Sequence, residues 1–285
     1  AAAAPGDAKR RRALAKRWAR HAEIFAHAGD LAAARGAAAQ ARSLREADKD
    51  ALGAQALHDA LILEGDLALK ARDYEAARQA FARACERAQA RAHEDDAWRT
   101  ALAQAWGRLG ETALQAQLFA PARDAFARMR ALNDGADPRL EARLLLKEGE
   151  AALGEGDSQA ARALFQHSCA IRIDLLHAAP GDMALARELA VALERLGVLA
   201  HETGDMDAAR AAWEDEARLA EVMLDKLGDG ETMRFAAIVY GHLAGLPLPD
   251  AIEHRKRALA LLDELAQLGA LTAPDVALRN RLWGG

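Results

Sequence analysis

The sequence predicts an all-α chain: an α-solenoid of about six antiparallel helix pairs, closed by a short C-terminal helix. Three observations predict it. Apolar residues make up 52% of the 285 residues but aromatics only 5%, and alanine, the strongest helix former, supplies much of the apolar count. A compact core of alanine would bury little area per residue, so alanine suits helices that approach closely along a thin stack. β-Branched residues are scarce and no stretch alternates apolar and polar residues with period two, so no strand is predicted. Finally, one packing frame recurs along the chain at intervals of 39 to 48 residues, the mark of a repeat architecture.

The frame is a small residue in a first helix, then a small residue, an aromatic and another small residue in a second helix. Steps of four and three place the last three on one helical face. The residue in the first helix lets the second helix pack close. In the first hairpin, residues 8–48, the frame is Ala22, Ala34, Ala38 and Ala41, with Gly29-Asp30 as the turn. The second, 51–92, has Gly65, Ala77, Phe81 and Ala84 around Arg72-Asp73. The third, 94–133, has Gly110, Ala122, Phe126 and Met129; its turn is Leu118-Phe119-Ala120, and Pro121 suits a helix start. The fourth, 138–179, has Gly149, Ala161, Phe165 and Ser168 around Gly156-Asp157. The fifth, 182–228, has Gly197, Ala209, Trp213 and Glu216 around Gly204-Asp205.

The sixth hairpin, 231–268, is worn. Val239 stands in the glycine's place and Arg255 in the aromatic's, Ala251 and Ala258 keep a step of seven, and Leu246-Pro247-Leu248-Pro249 replaces the tight turn. Terminal repeats are often atypical because one face meets water, which Arg255 suits. Thr272-Ala273-Pro274-Asp275 reads as a capping box for a last helix over 273–283. Ala4-Pro5-Gly6-Asp7 recurs as Ala179-Pro180-Gly181-Asp182, an offset of 175 residues, and the frame residues Ala22 and Gly197 share that offset. Pro5 and Pro180 therefore read as equivalent linkers between hairpins.

Trp106 with Leu109-Gly110, then Ala122 and Phe126, resembles a tetratricopeptide repeat. So do Leu196-Gly197, the Gly204-Asp205 turn, Ala208-Ala209 and Trp213. The resemblance covers roughly residues 8–268. Its repeats are longer than the usual ~34 residues, as in bacterial arrays with extended hairpins. It implies one repeat domain over 1–285, first helices lining a concave groove, and a protein or peptide as partner rather than catalysis. The lysine and asparagine clamp for a C-terminal carboxylate does not carry over: the two asparagines, Asn133 and Asn280, lie outside the first helices.

The net charge of −5 with 28% charged residues is ordinary and argues against a nucleic-acid binder. No apolar run reaches the ~18 residues of a membrane helix, and no signal-peptide core is present. Cys85 and Cys169 form no CxxC pair and read as buried or half-buried free thiols, which fits a reducing, cytoplasmic setting.

No catalytic, cofactor or metal motif is found: no P-loop and no HExxH. Gly228-Asp229-Gly230 reads as a linker rather than a phosphate cradle. His167 and Cys169 point to different faces of one helix, and His27 and His201 sit at equivalent helix ends, where a cation is favoured. The residue after the packing position is acidic in four consecutive hairpins: Glu23, Asp66, Glu111 and Glu150. A groove-facing ladder of carboxylates would favour a basic or amine-bearing peptide. Arg20, Arg108 and Lys147 stand three residues before Glu23, Glu111 and Glu150, so local pairing on a solvated face also fits them. Asp66 has Leu63 at that place. Tyr240 and Phe235 are candidate groove anchors, although core packing also fits. The cluster Lys9, Arg10, Arg11, Arg12, Lys16, Arg17 and Arg20 fits an acidic partner or the polar face of a first helix whose apolar stripe is Leu14, Trp18 and Phe25.

Three functions fit the pattern. A peptide-binding scaffold rests on the tiled repeat. A regulatory or sensor region of a larger signalling NTPase, kinase or protease rests on the opening of the chain at Ala1, inside a linker motif, which leads us to expect an upstream domain; a trimmed N-terminus fits the same observation. A small-molecule receptor or enzyme using the inner face rests only on the principle that fold does not decide function.

Overall fold

A computed structural model describes residues 5–48 and 50–284. It contains thirteen α-helices and no strand among those residues. They are α1 (Pro5–His27), α2 (Leu31–Glu46), α3 (Ala51–Lys70), α4 (Tyr74–Gln89), α5 (Asp96–Gln115), α6 (Phe119–Asn133), α7 (Pro138–Gly154), α8 (Ser158–Ala178), α9 (Met183–Glu202), α10 (Met206–Leu227), α11 (Gly230–Ala244), α12 (Ala251–Gln267) and α13 (Ala273–Gly284). This is the all-α, paired-helix fold that the repeat predicts.

The helix boundaries follow from local chemistry. Asp30, Asp73, Asp157 and Asp205 each accept a hydrogen bond from the backbone amide three residues on, at 2.9 to 3.1 Å, and so cap α2, α4, α8 and α10. The residue before each Asp reverses the chain. In the first turn it is Gly29 with φ +82°, but in the second it is Arg72 with φ 57°. In the third it is Gln117 with φ 58°, before Leu118, so the left-handed position accepts a non-glycine in two of the turns. Leu118 caps α6 with no side-chain hydrogen bond, and Pro121 falls in the first turn, where an amide has no helical partner to lose. Thr272 and Asp275 form the capping box of α13: the Thr272 amide donates to Asp275 Oδ2 at 2.8 Å.

The chain divides into two compact units. The first comprises the residues up to Ala136 with Glu150–Gly156. Within it α1 to α6 pack each on the next, and α1 also touches α3. The second comprises Asp137–Gly149 and the residues from Asp157 onward. There α8 to α12 pack in succession, and α13 rests on α11 and α12.

The packing frame is the core of both units. A Cβ on Gly65 would lie 2.5 Å from the ring of Phe81, and one on Gly197 would lie 2.4 Å from Trp213 Nε1. Gly110 and Gly149 meet Phe126 and Phe165 in the same way. At each of these four positions even a methyl group would collide with the aromatic ring. Complete burial of Phe81 contributes about 2–3 kcal/mol. Cys85 and Cys169 are buried free thiols, and burial pushes both up to about 12.

Some readings need correction. Pro5, Gly6 and Asp7 are the first residues of α1, not a linker; Ala4 of that motif lies outside the described residues. Proline suits a helix's first turn because its missing N–H would have no partner there. Pro180 and Gly181 do form a turn, with Asp182 capping α9. The apolar stripe of α1 is also displaced. Leu14 is 45% exposed, whereas Ala15 and Ala22 are buried with Trp18 and Phe25 beside them. Close approach of α2 selects the small side of the helix. Part of the basic cluster is taken up internally: Arg11 and Arg12 reach buried Asp48 at 3.2 and 3.1 Å, and Arg12 also pairs with Asp50. Arg255 is half-buried beside a cavity of about 610 Å³ that α13 helps to close, instead of meeting open water.

Candidate functional site

The first helices of the first unit bring part of the acidic series together. Glu23 of α1, Asp66 of α3 and Arg108 of α5 line one open cavity of about 360 Å³, along with His27 and Lys70. Glu23 is exposed and Asp66 half-buried. Arg108 Nε lies 3.5 Å from Asp66 Oδ1. The side chain that the sequence pairs with Glu111, three residues on, thus reaches back one hairpin to Asp66. Burial pushes the Asp66 carboxyl up, against the pull of Arg108 and Lys70. The cavity is therefore mixed in charge: Glu23 and Asp66 face Arg108 and Lys70.

The other candidates stand apart. Glu111 on α5 is half-buried and engaged, and so is Glu150 on α7. Lys147, half-buried and engaged, and Tyr240 belong to the second unit. Tyr240 donates its phenol hydrogen to Glu221 Oε1 at 2.8 Å, stacks on His254 at 5.8 Å, and lines a shallow cavity with residues of α10 and α12. Burial and the Glu221 carboxylate push its hydroxyl up to about 12. Tyr240 is thus tied to second helices and does not share the cavity of Glu23 and Asp66.

The second unit holds a cluster that motif reading passes over. α9, α10 and α11 line an open cavity of about 480 Å³ with Glu194 and Glu216 on its wall. Glu216 is 1% exposed, and its carboxyl group pairs with that of Glu194 through a side-chain hydrogen bond. His242 Nδ1 lies 3.3 Å from Glu194 Oε2. The Trp213 indole stacks on His242 at 4.9 Å and 28°; only a glycine at 197 leaves room for that indole. Burial and the neighbouring Glu194 push Glu216 up to about 10, so it holds its proton at neutral pH. Burial works to raise Glu194 as well, but His242, Glu216 and Trp213 gathered around it hold its carboxyl down and keep it ionised. Phe235 lines this cavity, half-buried. One signal was visible in the sequence. In the fifth frame Glu216 occupies the step that Ala84, Met129 and Ser168 hold elsewhere, and an acid at a core step is expensive unless it is neutral or paired.

Among the described residues no three His, Cys, Asp or Glu side chains gather as a metal would require. Among the described residues no helix is long and apolar enough to cross a membrane.

A comparison with protein-family models finds no match. A comparison with curated protein sequences finds none either. Solved structures do resemble the fold. RapI in its apo form matches with a TM-score of 0.60 at 10% identity, covering 94% of both chains. A signal-transduction ATPase with numerous domains and a tetratricopeptide repeat sensor, from Pyrococcus horikoshii, matches with a TM-score of 0.57 at 14% identity; 93% of this chain is covered but 40% of that one. Nro1 of S. pombe, a nuclear import adaptor, matches at 0.52 and 13% identity over 96% and 93% of the two chains. The fold is that of the tetratricopeptide-like helical repeats. At these identities the likeness speaks for the fold alone.

Proposed function

We propose that this chain is a non-catalytic scaffold, a single repeat domain over 1–285 that binds a protein or peptide segment in a cytoplasmic setting. The observation that carries it is the convergence of Glu23, Asp66 and Arg108, from three successive first helices, on one open cavity. Side chains that recur once per hairpin can read an extended segment at matching intervals, and rigid helices hold them in place. Glu111 and Glu150 are proposed as further contacts in the first unit, and Lys147 and Tyr240 as contacts of the second unit taken by itself. The acids favour basic residues in the ligand, with Arg108 and Lys70 restricting which ones fit.

The likeness to the multidomain ATPase supports a second reading. A repeat array that matches 40% of a longer signalling protein suits a regulatory or sensor region with an upstream domain in the same polypeptide. Both readings share the protein-binding step, which a mixed peptide library tests directly. Wild type should select basic peptides, and the double variant Asp66→Ala, Glu111→Ala should lose that selection while keeping its helical content. Equal selection by both forms would remove the acidic residues from the reading.

A further inference from the structure

The scaffold reading leaves unused a cavity of about 610 Å³ among α11, α12 and α13. Its volume lies in the range of small-molecule sites. Ile238, Leu278 and Leu282 give it apolar walls. Its charged lining is Arg234, Arg255, Arg281 and Asp275, with His242 beside them. These charges do not cancel. Arg234 Nε lies 3.0 and 2.8 Å from the two carboxylate oxygens of Asp275, and a terminal nitrogen of Arg234 donates to the Ala270 carbonyl at 2.8 Å. That pair is neutral and satisfied within itself. His242 is 3.3 Å from Glu194, which does not line the cavity. Arg255 and Arg281 are left over, and among the described residues neither has a hydrogen-bond or ion-pair partner.

Arg255 carries the stronger signal. It stands at the step where earlier hairpins have Phe81, Phe126, Phe165 and Trp213. Its side chain is half-buried, and its Nε is shut off from water with no partner. Buried polar atoms are nearly always satisfied, and the exceptions call for an explanation. A partly desolvated charge without a counter-ion costs free energy. An anion held by this guanidinium would offset that cost.

We propose that this cavity binds an organic oxyanion carried on an apolar stem. The head lies between Arg255 and Arg281, and the stem lies against Ile238, Leu278 and Leu282. Guanidinium groups present paired N–H donors that match the oxygens of a carboxylate or a phosphate. A cation would meet two uncompensated arginines, and a neutral alcohol would leave both charges unmatched. α12 supplies one arginine and α13 the other, so the site is complete only with the terminal helix docked. The head is that of a carboxylic acid or of a phosphate ester, since both offer the same oxygens to the two side chains.

The experiment is isothermal titration of the full chain, in phosphate-free buffer at neutral pH, with n-octanoate, n-octyl phosphate, n-octanol and n-octylamine. At least one anion is expected to bind about tenfold or more tightly than octanol, a difference of about 1.4 kcal/mol, and octylamine is expected not to bind. The tighter anion assigns the head as carboxylate or phosphate. Arg255→Gln should weaken binding of that anion by about tenfold or more. It should leave the thermal midpoint of the free protein no lower, because it breaks no pair. Arg281→Gln should weaken binding by less, because Arg281 is exposed and its charge is screened. Ile238→Trp, at a position 39% exposed and so compatible with folding, should take the place of the stem and abolish binding. Octanol binding as tight as that of both anions, no binding of either anion, or anion binding unchanged by Arg255→Gln would overturn the proposal.

Discussion

Gly65→Ala is the sharpest probe of the frame on which the fold rests. Gly65 lies within α3, and the ring of Phe81 from α4 is fully buried against it. A methyl added at residue 65 would sit 2.5 Å from Phe81 Cε1 and 2.6 Å from Cζ. Carbon atoms in contact lie about 3.5–4.0 Å apart, so the ring must retreat by about 1 Å. It has little room to do so, because Ala68, Ala77, Ile62 and Leu109 enclose it. Overpacking of this kind costs about 1–3 kcal/mol, and the helix propensity of alanine returns about 1 kcal/mol. The net expectation is a loss of about 1 kcal/mol. Gly36→Ala is the matched control: Gly36 is also helical but exposed, and its Cβ would meet nothing within 4 Å. That variant should gain about 0.5–1 kcal/mol from propensity alone. Urea denaturation followed by far-UV circular dichroism gives the two midpoints at a constant slope, and amide exchange in α3 and α4 localises the effect. If Gly65→Ala stabilises as Gly36→Ala does, the close approach of Phe81 to α3 is wrong.

Further outcomes follow from individual contacts. Asp205 caps α10 and pairs with Arg162 at 2.6 Å; Asp205→Ala should lower the thermal midpoint and Asp205→Asn should restore most of the loss. Arg162 and the Ala208 amide hold the Asp205 carboxyl below its usual range, so that part of the stability is present above the unfolded-state value near pH ~3.9 and is lost as pH falls below it. Arg234 covers the buried carboxylate of Asp275 at 2.8 Å; Arg234→Met should cost about 3 kcal/mol and expose α13 to proteolysis, whereas Arg234→Met with Asp275→Leu should recover most of it. Glu216 has the opposite sign to Asp205. Its folded value is raised to about 10, so the folded state holds a proton that the unfolded state loses, and stability falls as pH rises from about 4.5 towards 10. Glu216→Gln should flatten that fall, which is at most about 1.4 kcal/mol per pH unit, as measured by denaturation midpoints across the range.

Most of the fold was legible because its determinants are local. The capping aspartates act on amides three residues away, and the alanine–aromatic–small steps share one helical face. The α1 stripe was misjudged because Leu14 is larger than Ala15, yet a closely approaching helix selects the small side. The candidate site was less legible. Glu23 and Asp66 were found from their place in the frame, but the Arg108 that balances Asp66 looked like a local partner of Glu111. The cluster of Glu194, Glu216, Trp213 and His242 spans three helices, and its one trace in the sequence was an acid at a core step.

The sequence by itself determined the hairpin register, because short-range spacing, helix propensity and caps leave few alternatives within some forty residues. Only the tertiary structure decided which charges are matched and which acid is hidden. Those properties depend on distances between side chains on different helices and on how much water remains between them. Neither Arg108 reaching Asp66 nor Glu216 keeping its proton beside Glu194 is encoded in any single stretch of chain.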